Sequence, residues 1–454
     1  MEKVAAVILA AGKGTRMKSA LPKVLHKVCG KPMVQHVLEA AWEAGAEKRI
    51  LVVGFGRQRV EEALGPDYDY VEQKEQLGTG HAVKQTADLL ADYQGDVLVI
   101  CGDTPLLRGE TLKELLQYHR TKKAKATILT AHLAEPFGYG RIIRSAEGQV
   151  EKIVEEKDAS AAEKAVQEIN TGTYCFSAPE LFTYLNKITT DNAQGEYYLT
   201  DVIALLRQDS LAVEAFLAED ADETGGVNSR RHLAEAERLL NQRTLQRLMD
   251  EGVTIVSPEN TFIQPEVQVG QDTVIYPFTI LEGRTVIGSD CFIGPNSRIA
   301  NSVIGQGTIV EQSTVLESVL GADCKVGPFA YVRPGSEAKD QVKIGDFVEI
   351  KKTVIGQGSK VPHHSYLGDA EVGAGVNIGA GTITCNYDGK NKHKTVIGDK
   401  VFVGSNTNLV APVNIGAGAV IGAGSTVNKN VPDRALGIAR AKQKNIADWK
   451  KEEE

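Results

Sequence analysis

Residues 9–23 hold the side chains best suited to phosphate chemistry near the start of the chain. Residues 9–17 read LAAGKGTRM, and Pro22-Lys23 follows. Gly12 and Gly14 let the backbone approach a phosphate closely, and the loop amides can bind its oxygens. Arg16 and Lys23 supply positive charge for phosphoryl transfer. The segment predicts an anion-binding loop, although the glycines alone fit a plain strand-to-helix turn equally well. It is neither a Rossmann fingerprint nor a Walker loop, since the third glycine and G-K-[ST] are both missing.

A second segment places a carboxylate at the end of an apolar run. Val97-Leu98-Val99-Ile100 is continuously apolar, and Gly102-Asp103-x-Pro105 follows it. Ligands of open α/β sheets bind at the carboxyl ends of the strands. An aspartate there suits Mg²⁺, which binds few protein oxygens together with substrate phosphates. Asp103 is therefore a candidate metal ligand, with a helix N-cap as the less favoured interpretation.

The second half of the chain has its own candidate chemistry in the histidine pair of V-P-H-H-S-Y-L-G. His363 and His364 lie between the aliphatic residues Val361 and Leu367, at a predicted turn and outside the core. A lone histidine there would usually be a surface residue. This pair lies beside Tyr366, with Arg333 and Lys351 upstream, and an imidazole exchanges protons near neutral pH. A general base is the favoured interpretation.

Short apolar runs that alternate with helical patterns must position the first site. Strands are predicted at 4–9, 50–53 and 96–101, with a helix at 33–44. Continuously apolar strands are covered on both faces, so a mostly parallel α/β sheet follows, ending near residue 228. Residues 229–251 then read as one helix, on which Leu233, Ala236, Leu240, Thr244 and Leu248 share a face. We interpret it as a linker helix rather than a surface helix of the first domain.

From residue 252 onward a six-residue period replaces the helical patterns. The aliphatic positions are Ile397, Val403, Leu409, Ile415, Ile421 and Val427, and the same phase occurs at Ile287, Ile293 and Ile299 and at Ile355, Val361 and Leu367. This period is wrong for an α-helix and is typical of a β-helix built from hexapeptides. Residues 384–395 and 333–341 are predicted to interrupt the repeat as loops on a binding face.

The first half resembles the sugar-nucleotide pyrophosphorylases, which have a Rossmann-like fold. The pattern L-x-x-G-x-G-T-R-M-x(5)-P-K, together with G-D-x-P, carries the resemblance, and Q-x-E-Q-L-G-T-G-H-A at 73–82 is similar to their uridine-selecting loop. The resemblance implies nucleotide and sugar contacts at Leu9, Ala10, Ala11, Gly12, Lys23, Gln73, Gly78, Thr79, Gly140, Glu155, Asn170 and Asn228. It implies Mg²⁺ on Asp103 and Asn228, with Arg16 and Lys23 catalytic.

The whole chain resembles the bacterial bifunctional N-acetylglucosamine-1-phosphate uridylyltransferases/glucosamine-1-phosphate acetyltransferases. The resemblance implies a Rossmann-like domain over 1–228, a linker helix over 229–251 and a left-handed parallel β-helix over 252–454. His363 would be the base, and Arg333, Lys351, Tyr366 and Asn377 would hold glucosamine 1-phosphate. Acetyl-CoA would contact Ala380, Asn386, Tyr387, Ser405, Ala423 and Arg440. One departure from some family members is Cys101, where they carry tyrosine; we expect little effect.

Further expectations follow from the same resemblance. Acetyl-CoA and UTP would be the co-substrates, a homotrimer would form the acetyltransferase sites, and UDP-N-acetylglucosamine would feed peptidoglycan synthesis, and lipopolysaccharide synthesis where there is an outer membrane. A cytoplasmic location is expected, because the six cysteines are scattered without a C-x-x-C pair and the N-terminal apolar run is better explained by a strand than by a signal peptide.

Composition excludes other classes of protein. The net charge of −8 argues against nucleic-acid binding, and no apolar stretch approaches the roughly 18–20 residues of a membrane span. Two alternatives stay open. The chief one is a single-activity pyrophosphorylase whose β-helix only assembles or regulates, and the other is a non-catalytic β-helix scaffold or translation-factor subunit. The side chains at 333, 351, 363, 366 and 386 argue against the first, and the intact phosphate motifs argue against the second.

Overall fold

The computed structural model describes residues 3–447 and residue 449, and it divides the chain into two compact units that meet at Leu240 and Asn241. Both boundary residues lie inside the helix Arg230–Asp250, which occupies the predicted linker segment. Ala236 is buried in the first unit and Leu248 in the second, as the shared face of the helix predicts. Among the residues that the structure describes, no helix is both long and apolar enough to cross a bilayer.

The first unit is built on a nine-stranded sheet. Its main path runs Val213–Leu217, Ala126–His132, Glu168–Ser177, Asp96–Cys101, Val4–Ala10, Lys48–Val53, Asp69–Glu72, and Gly140–Arg144 and Val150–Val154 extend it at one side. All neighbours on the path are parallel except Glu168–Ser177, which pairs antiparallel on both sides. The prediction of a mostly parallel sheet is confirmed.

Helices cover both faces of this sheet. They are Met33–Glu43, Arg57–Leu64, Thr79–Lys84, Gly109–Thr121, Ala161–Lys164, Ala178–Leu185 and Asp201–Gln208, with 3-10 turns at Thr15–Met17, Lys23–Leu25, Ala87–Leu90 and Ala221–Thr224, and a hairpin of Lys27–Val28 with Lys31–Pro32. Val97 and Val99 belong to one buried cluster, whereas Leu98 and Ile100 belong to another. Successive side chains of a strand point to opposite faces, so both faces are buried and the strand has to be apolar throughout.

The second unit is a parallel β-helix with three faces, and the 3-10 turn Pro258–Asn260 joins its first two strands. The first face holds Thr254–Ile255, Val274–Ile275, Phe292–Ile293, Ile309–Val310, Lys325–Val326, Lys343–Asp346, Lys360–His363, Asn377–Ile378, Phe402–Val403, Val420–Ile421 and Leu436–Gly437. The second face holds Phe262–Ile263, Ile280–Glu282, Arg298–Ala300, Thr314–Leu316, Tyr331–Val332, Glu349–Lys351, Tyr366–Gly368, Ile383–Cys385, Asn408–Val410 and Thr426–Val427. The third face holds Gln268–Val269, Val286–Ile287, Val303–Ile304, Val319–Leu320, Glu337–Ala338, Val354–Ile355, Ala370–Val372, Thr395–Ile397 and Val413–Ile415.

The six-residue period marks the inward positions of this β-helix. Ile397, Val403, Leu409, Ile415 and Ile421 are all at most 2% exposed. Each coil contributes one such side chain per face, and each strand bonds to the strand one coil later, so the aliphatic core is continuous along the axis. The hexapeptide prediction is confirmed, including its phase.

One of the two predicted interruptions is wrong. Residues 333–341 continue the coil through the strand Glu337–Ala338, and buried Ala338 takes the inward position six residues from both Val332 and Ile344. The small alanine among polar neighbours concealed the repeat. The other interruption is confirmed, because residues 386–394 leave the coil as a loop between the strands Ile383–Cys385 and Thr395–Ile397. A bridge between Tyr387 and Lys392 closes this loop.

Candidate functional sites

The glycine-rich loop follows directly from the first strand, which ends at Ala10. Gly14 has a φ of 59°, and a Cβ there would lie 2.6 Å from the Cβ of Lys23. Gly12 has no heavy atom within 4 Å of its own would-be Cβ. The loop therefore packs closely against Lys23 at Gly14 and leaves open space at Gly12, where a ligand could approach the backbone.

Lys23 joins the two predicted metal ligands. Its ammonium forms an ion pair with Asp103 and donates a hydrogen bond to Asn228 Oδ1 at 3.0 Å. The amide of Val227 donates to the carbonyl of Asp103 at 2.9 Å, which fixes the approach of Asn228. Residues 23, 103 and 228 thus converge at the carboxyl end of the strand Asp96–Cys101, as predicted.

A cavity of about 270 Å³ opens beside this cluster. It is lined by Leu9, Ala10, Ala11, Gly12, Lys23, Val24, Gln73, Gln76, Gly78, Thr79, Ala82, Cys101, Asp103 and Glu196. Most of the nucleotide-binding residues inferred from the sequence thus face one space. The sequence analysis missed Gln76 and Glu196; the first lies inside the quoted Q-x-E-Q motif, whereas nothing in the sequence singles out the second.

The predicted uridine-selecting loop is held by internal hydrogen bonds. Gln73 is buried, and its Nε2 donates to the carbonyl of Gly78 at 3.0 Å and lies 3.1 Å from His81 Nδ1. Gly78 has a φ of 108°, and a Cβ there would lie 2.5 Å from the carbonyl oxygen of Tyr197. Thr79 Oγ1 accepts from the amide of Leu199 at 3.1 Å. The loop is therefore held in one shape at the cavity wall.

Three residues predicted to bind the sugar lie together. A Cβ on Gly140 would be 3.5 Å from both the Asn170 Cβ and Glu155 Oε2. Asn170 Nδ2 donates to the Tyr174 hydroxyl at 2.7 Å, while its Oδ1 accepts from Gly172, so the amide has a fixed orientation. Burial raises the pKa of Glu155, and the hydrogen bond from Thr200 opposes that shift.

Arg16 is the one predicted catalytic residue of this unit that the structure does not bring to the cluster. It lies exposed in the 3-10 turn Thr15–Met17. Within residues 3–447, no hydrogen bond or ion pair joins its guanidinium to Lys23 or Asp103. Its predicted role therefore stays a prediction.

In the second unit, His363 pairs with an aspartate that the sequence analysis missed. Asp346 and His363 are in register on successive coils of the first face, and His363 Nδ1 lies 2.5 Å from Asp346 Oδ1. The hydrogen bond with His363 lowers the pKa of Asp346. His364 Nε2 lies 3.9 Å from the other carboxylate oxygen. With Nδ1 held by Asp346, the His363 Nε2 is the nitrogen able to accept a proton from a substrate.

A second polar cluster gathers residues from three positions along the chain. Lys351 Nζ lies 3.3 Å from Asp369 Oδ2, and Asn386 Nδ2 donates to the same oxygen at 2.5 Å. Asn386 Nδ2 also lies 3.4 Å from the Tyr366 hydroxyl. Lys351, Tyr366 and Asn386 were all predicted, whereas Asp369, which contacts both Lys351 and Asn386, was not.

Lys392 adds a second cation to this cluster. A hydrogen bond between the two lysine side chains raises the pKa of Lys351 and lowers the pKa of Lys392. The charge of Asp369 acts on both lysines: it forms an ion pair with Lys351, and it opposes the lowering of the Lys392 pKa. Lys392 belongs to no sequence motif. Its contact with Lys351 depends on the loop 386–394 and could not be predicted from the sequence.

Two further residues predicted to hold the sugar phosphate have other neighbours in this structure. Arg333 pairs with Glu349 at 2.7 Å, and Asn377 lies on the first face between Lys360 and Phe402. Among the described residues, no hydrogen bond or ion pair connects Arg333 or Asn377 to His363.

Four of the six predicted coenzyme A residues, at 380, 405, 423 and 440, form a column on successive coils. The amide of Asn406 donates to the carbonyl of Ala380 at 2.7 Å, that of Gly424 to Ser405 at 2.8 Å, and Arg440 Nη1 to the carbonyl of Ala423 at 2.6 Å. Below Ala380, the amide of Gly381 donates to the carbonyl of His364 at 3.1 Å. The column therefore begins beside His363 and extends along the axis, as an elongated ligand would require. Tyr387 is 59% exposed in the loop 386–394.

Family models match both units. The "Nucleotidyl transferase" model matches residues 5–239, and the "Bacterial transferase hexapeptide (six repeats)" model matches residues 394–429. The "GMPPB C-terminal domain" model matches residues 257–346. Together with the parallel coils, these matches define a nucleotidyl transferase joined to a left-handed hexapeptide β-helix.

Curated relatives cover nearly the whole chain. The protein from Geobacillus sp. (strain WCH70) is 56% identical over 449 residues, which are 99% of this chain and 98% of that one. The relative from Heliobacterium modesticaldum is 55% identical over 98% of this chain and 97% of its own. That from Listeria monocytogenes serotype 4b (strain CLIP80459) is 54% identical over 99% of each. All three are named "Bifunctional protein GlmU", and the chain belongs to the GlmU family.

The buried Glu155 gives the first prediction. Because burial raises its pKa, the carboxylate protonates at a higher pH than a free glutamate would. If it accepts a hydrogen bond from the sugar, kcat/KM for the sugar phosphate should fall on acidification, and Glu155→Gln should lower it by about tenfold to a hundredfold, as 1.5–3 kcal/mol for such a bond implies. Steady-state kinetics against pH measure this. Exposed Glu151→Gln is the control, and an unchanged acid limb in Glu155→Gln would contradict the assignment.

The His363–Asp346 pair leads to a second prediction, which concerns acetyl transfer. Asp346→Asn keeps an oxygen near His363 Nδ1 but removes the negative charge that stabilises the imidazolium, so acetyl transfer should slow by about a hundredfold or more. Coenzyme A release, followed with a thiol reagent, measures the rate. Asp290→Asn, on an earlier coil where the carboxylate only accepts from Gln306, should be unaffected. Equal rates for the two variants would remove Asp346 from the mechanism.

Proposed function

We propose that this chain makes UDP-N-acetylglucosamine in two steps, each carried by one of its units. The second unit transfers an acetyl group from acetyl-CoA to glucosamine 1-phosphate, and the first transfers uridylyl from UTP to the product with release of pyrophosphate. The observation that carries the proposal is that each unit gathers its own set of side chains. Lys23 joins Asp103 and Asn228 in the first unit, and Asp369 joins Lys351 and Asn386 in the second.

In the acetyl transfer, His363 Nε2 takes a proton from the ammonium of glucosamine 1-phosphate. The free amine attacks the thioester carbonyl carbon, and donors near Asn386 stabilise the oxyanion. The carbon–sulfur bond then breaks, and the leaving coenzyme A thiolate takes the second proton of the attacking nitrogen. Asp346 holds the imidazole through Nδ1. Lys351, Arg333, Tyr366 and Asn377 bind the sugar phosphate. Coenzyme A extends over Tyr387 and along the column of residues 380, 405, 423 and 440.

The uridylyl transfer needs no nucleophile from the protein. The phosphate of N-acetylglucosamine 1-phosphate attacks the α-phosphorus of UTP, and pyrophosphate leaves. Lys23 and Arg16 offset the negative charge of the transition state, and the amides of residues 9–12 and the loop 73–79 hold the nucleotide. Gly140, Glu155 and Asn170 orient the sugar.

The donor set of the first unit fits a magnesium ion held by Asp103 and Asn228. Carboxylate and amide oxygens are the ligands that Mg²⁺ accepts, and both side chains already face one cation, the Lys23 ammonium. The bound ion would supply further charge compensation for the phosphates.

We also propose a homotrimer that works in the cytoplasm. The column of Phe329, Phe347 and His364 is exposed and stacked, with ring centroids 5.3 Å and 5.0 Å apart, and such an apolar edge is suited to burial against a second copy. Arg333 and Asn377 would then reach His363 across the interface.

The cysteines support the cytoplasmic location. The free state of all six fits a reducing compartment.

The trimer gives the third prediction. Sedimentation equilibrium of the full chain should yield a mass about three times 48.9 kDa. Phe329→Lys with Phe347→Lys should shift the protein toward monomer and abolish acetyl transfer, while uridylyl transfer continues. A fully active monomer would refute a shared acetyltransferase site.

The fourth prediction tests the two activities together. The purified parent, given acetyl-CoA, glucosamine 1-phosphate, UTP and Mg²⁺, should release both coenzyme A and pyrophosphate. His363→Ala should stop coenzyme A release, because the general base is lost, yet still convert supplied N-acetylglucosamine 1-phosphate to UDP-N-acetylglucosamine. If the parent releases no coenzyme A, the single-activity pyrophosphorylase with a structural β-helix is the better description.

A further inference from the structure

Side chains from the start of the long helix Arg230–Asp250 contact the segment that carries Lys23. After the 3-10 turn Lys23–Leu25, the chain continues through His26 into the hairpin of Lys27–Val28 and Lys31–Pro32. The amide of His26 donates to the Lys23 carbonyl at 3.2 Å, so these residues form one short rigid run. Side chains of the helix contact this run at two points, on either side of Lys27.

The first contact is between Arg230 and His26. Arg230 Nη1 donates to His26 Nδ1 at 3.2 Å. His26 is 6% exposed, and burial, aided by the charge of Arg230, lowers its pKa. Because the guanidinium can only donate, Nδ1 is the acceptor of this bond, and the bond fixes the residue that follows the Lys23 turn.

The second contact is between Glu237 and Cys29. The amide of Cys29 donates to Glu237 Oε2 at 2.9 Å. Cys29 has a φ of 46° and Gly30 a φ of 83°, so the hairpin turn places a non-glycine residue in the left-handed region, which neighbouring structure has to support. Burial raises the pKa of Glu237, opposed by the hydrogen bond from Cys29. A carboxylate partly withdrawn from water thus supports the strained end of the run.

The same helix start also adjoins Asn228. The amide of Asn228 donates to His232 Nδ1 at 3.4 Å, in the first turn of the helix. The helix is therefore connected both to the Lys23 run and to the residue whose Oδ1 accepts from Lys23 Nζ. Lys23 lies between Asp103 and Asn228, the two residues proposed to hold Mg²⁺, and its ammonium is the group proposed to offset the charge of the phosphates.

We propose that Arg230 and Glu237 are positioning residues for uridylyl transfer, which hold Lys23 between Asp103 and Asn228 through His26 and Cys29. The inference rests on the role proposed above for Lys23. Neither residue touches the cavity that would hold the nucleotide, so both act through Lys23.

The test is a set of full-length variants assayed for both activities. Glu237→Ala removes the acceptor of the Cys29 amide, and kcat for uridylyl transfer should fall by about tenfold to a hundredfold, since small displacements of a charged group at the reacting phosphates have effects of this size. Glu237→Gln keeps an oxygen acceptor and should restore most of the rate. Glu235→Ala, which loses only a surface pair with Arg238, should match the parent. Acetyl transfer should be unchanged throughout.

A double-mutant cycle with Lys23 separates positioning from a general loss of structure. If Glu237 acts through Lys23, Glu237→Ala should slow the parent but cause no further loss in a Lys23→Ala background. An additional loss of the same size in that background would overturn the inference, as would an unaffected rate in Glu237→Ala alone. If instead the parent makes no UDP-N-acetylglucosamine, the proposed function itself fails, and the two failures cannot be confused.

Discussion

Parallel backbone pairing determines where both candidate sites lie. In the first unit, the strands Val4–Ala10 and Asp96–Cys101 run side by side in the same direction, so the loops that follow them leave the sheet at one edge. The glycine-rich loop and Asp103 meet there because the strands end together, although almost a hundred residues separate them in the chain. The hydrogen bond from the Gly102 amide to the Leu9 carbonyl extends this pairing to the edge itself. Lys23 and Asn228 then approach the same edge from outside the sheet.

The same constraint acts differently in the second unit. Every strand of the β-helix bonds to the strand one coil later, so residues at equivalent positions stack along the axis. Asp346 meets His363 because they are in register on neighbouring coils, and Ala380 follows one coil further. The loop 386–394 departs from this rule, and its departure returns Asn386 and Lys392 to the cluster around Lys351 and Asp369.

Sequence patterns predicted what depends on local periodicity or on contiguous motifs. The buried strand 96–101, the inward positions from Ile397 to Val427 and the loop within 384–395 could be read directly, because each is a property of neighbouring residues. The interruption at 333–341 was wrong because Ala338 is too small to mark an inward position.

Partners that meet only through the fold could not be predicted. Asp346, Asp369 and Lys392 sit in ordinary polar contexts in the chain, and only the coil register or the loop brings them to His363 and Lys351. For the same reason, Lys23 and Asp103 could be predicted from their own segments and Asn228 through resemblance, but nothing in the sequence placed the three side chains in contact. Long-range proximity of polar side chains leaves no trace in composition or spacing.

The stacked corners of the β-helix also set a fixed spacing along its axis. Neighbouring parallel strands lie about 4.8 Å apart, so each coil adds one fixed step to the column that begins at His364 and passes Ala380, Ser405 and Ala423. The number of coils that follow the histidine therefore sets the length of this column. Each coil gained or lost in such a repeat would therefore lengthen or shorten the column by about 4.8 Å, without any change to the side chains around His363.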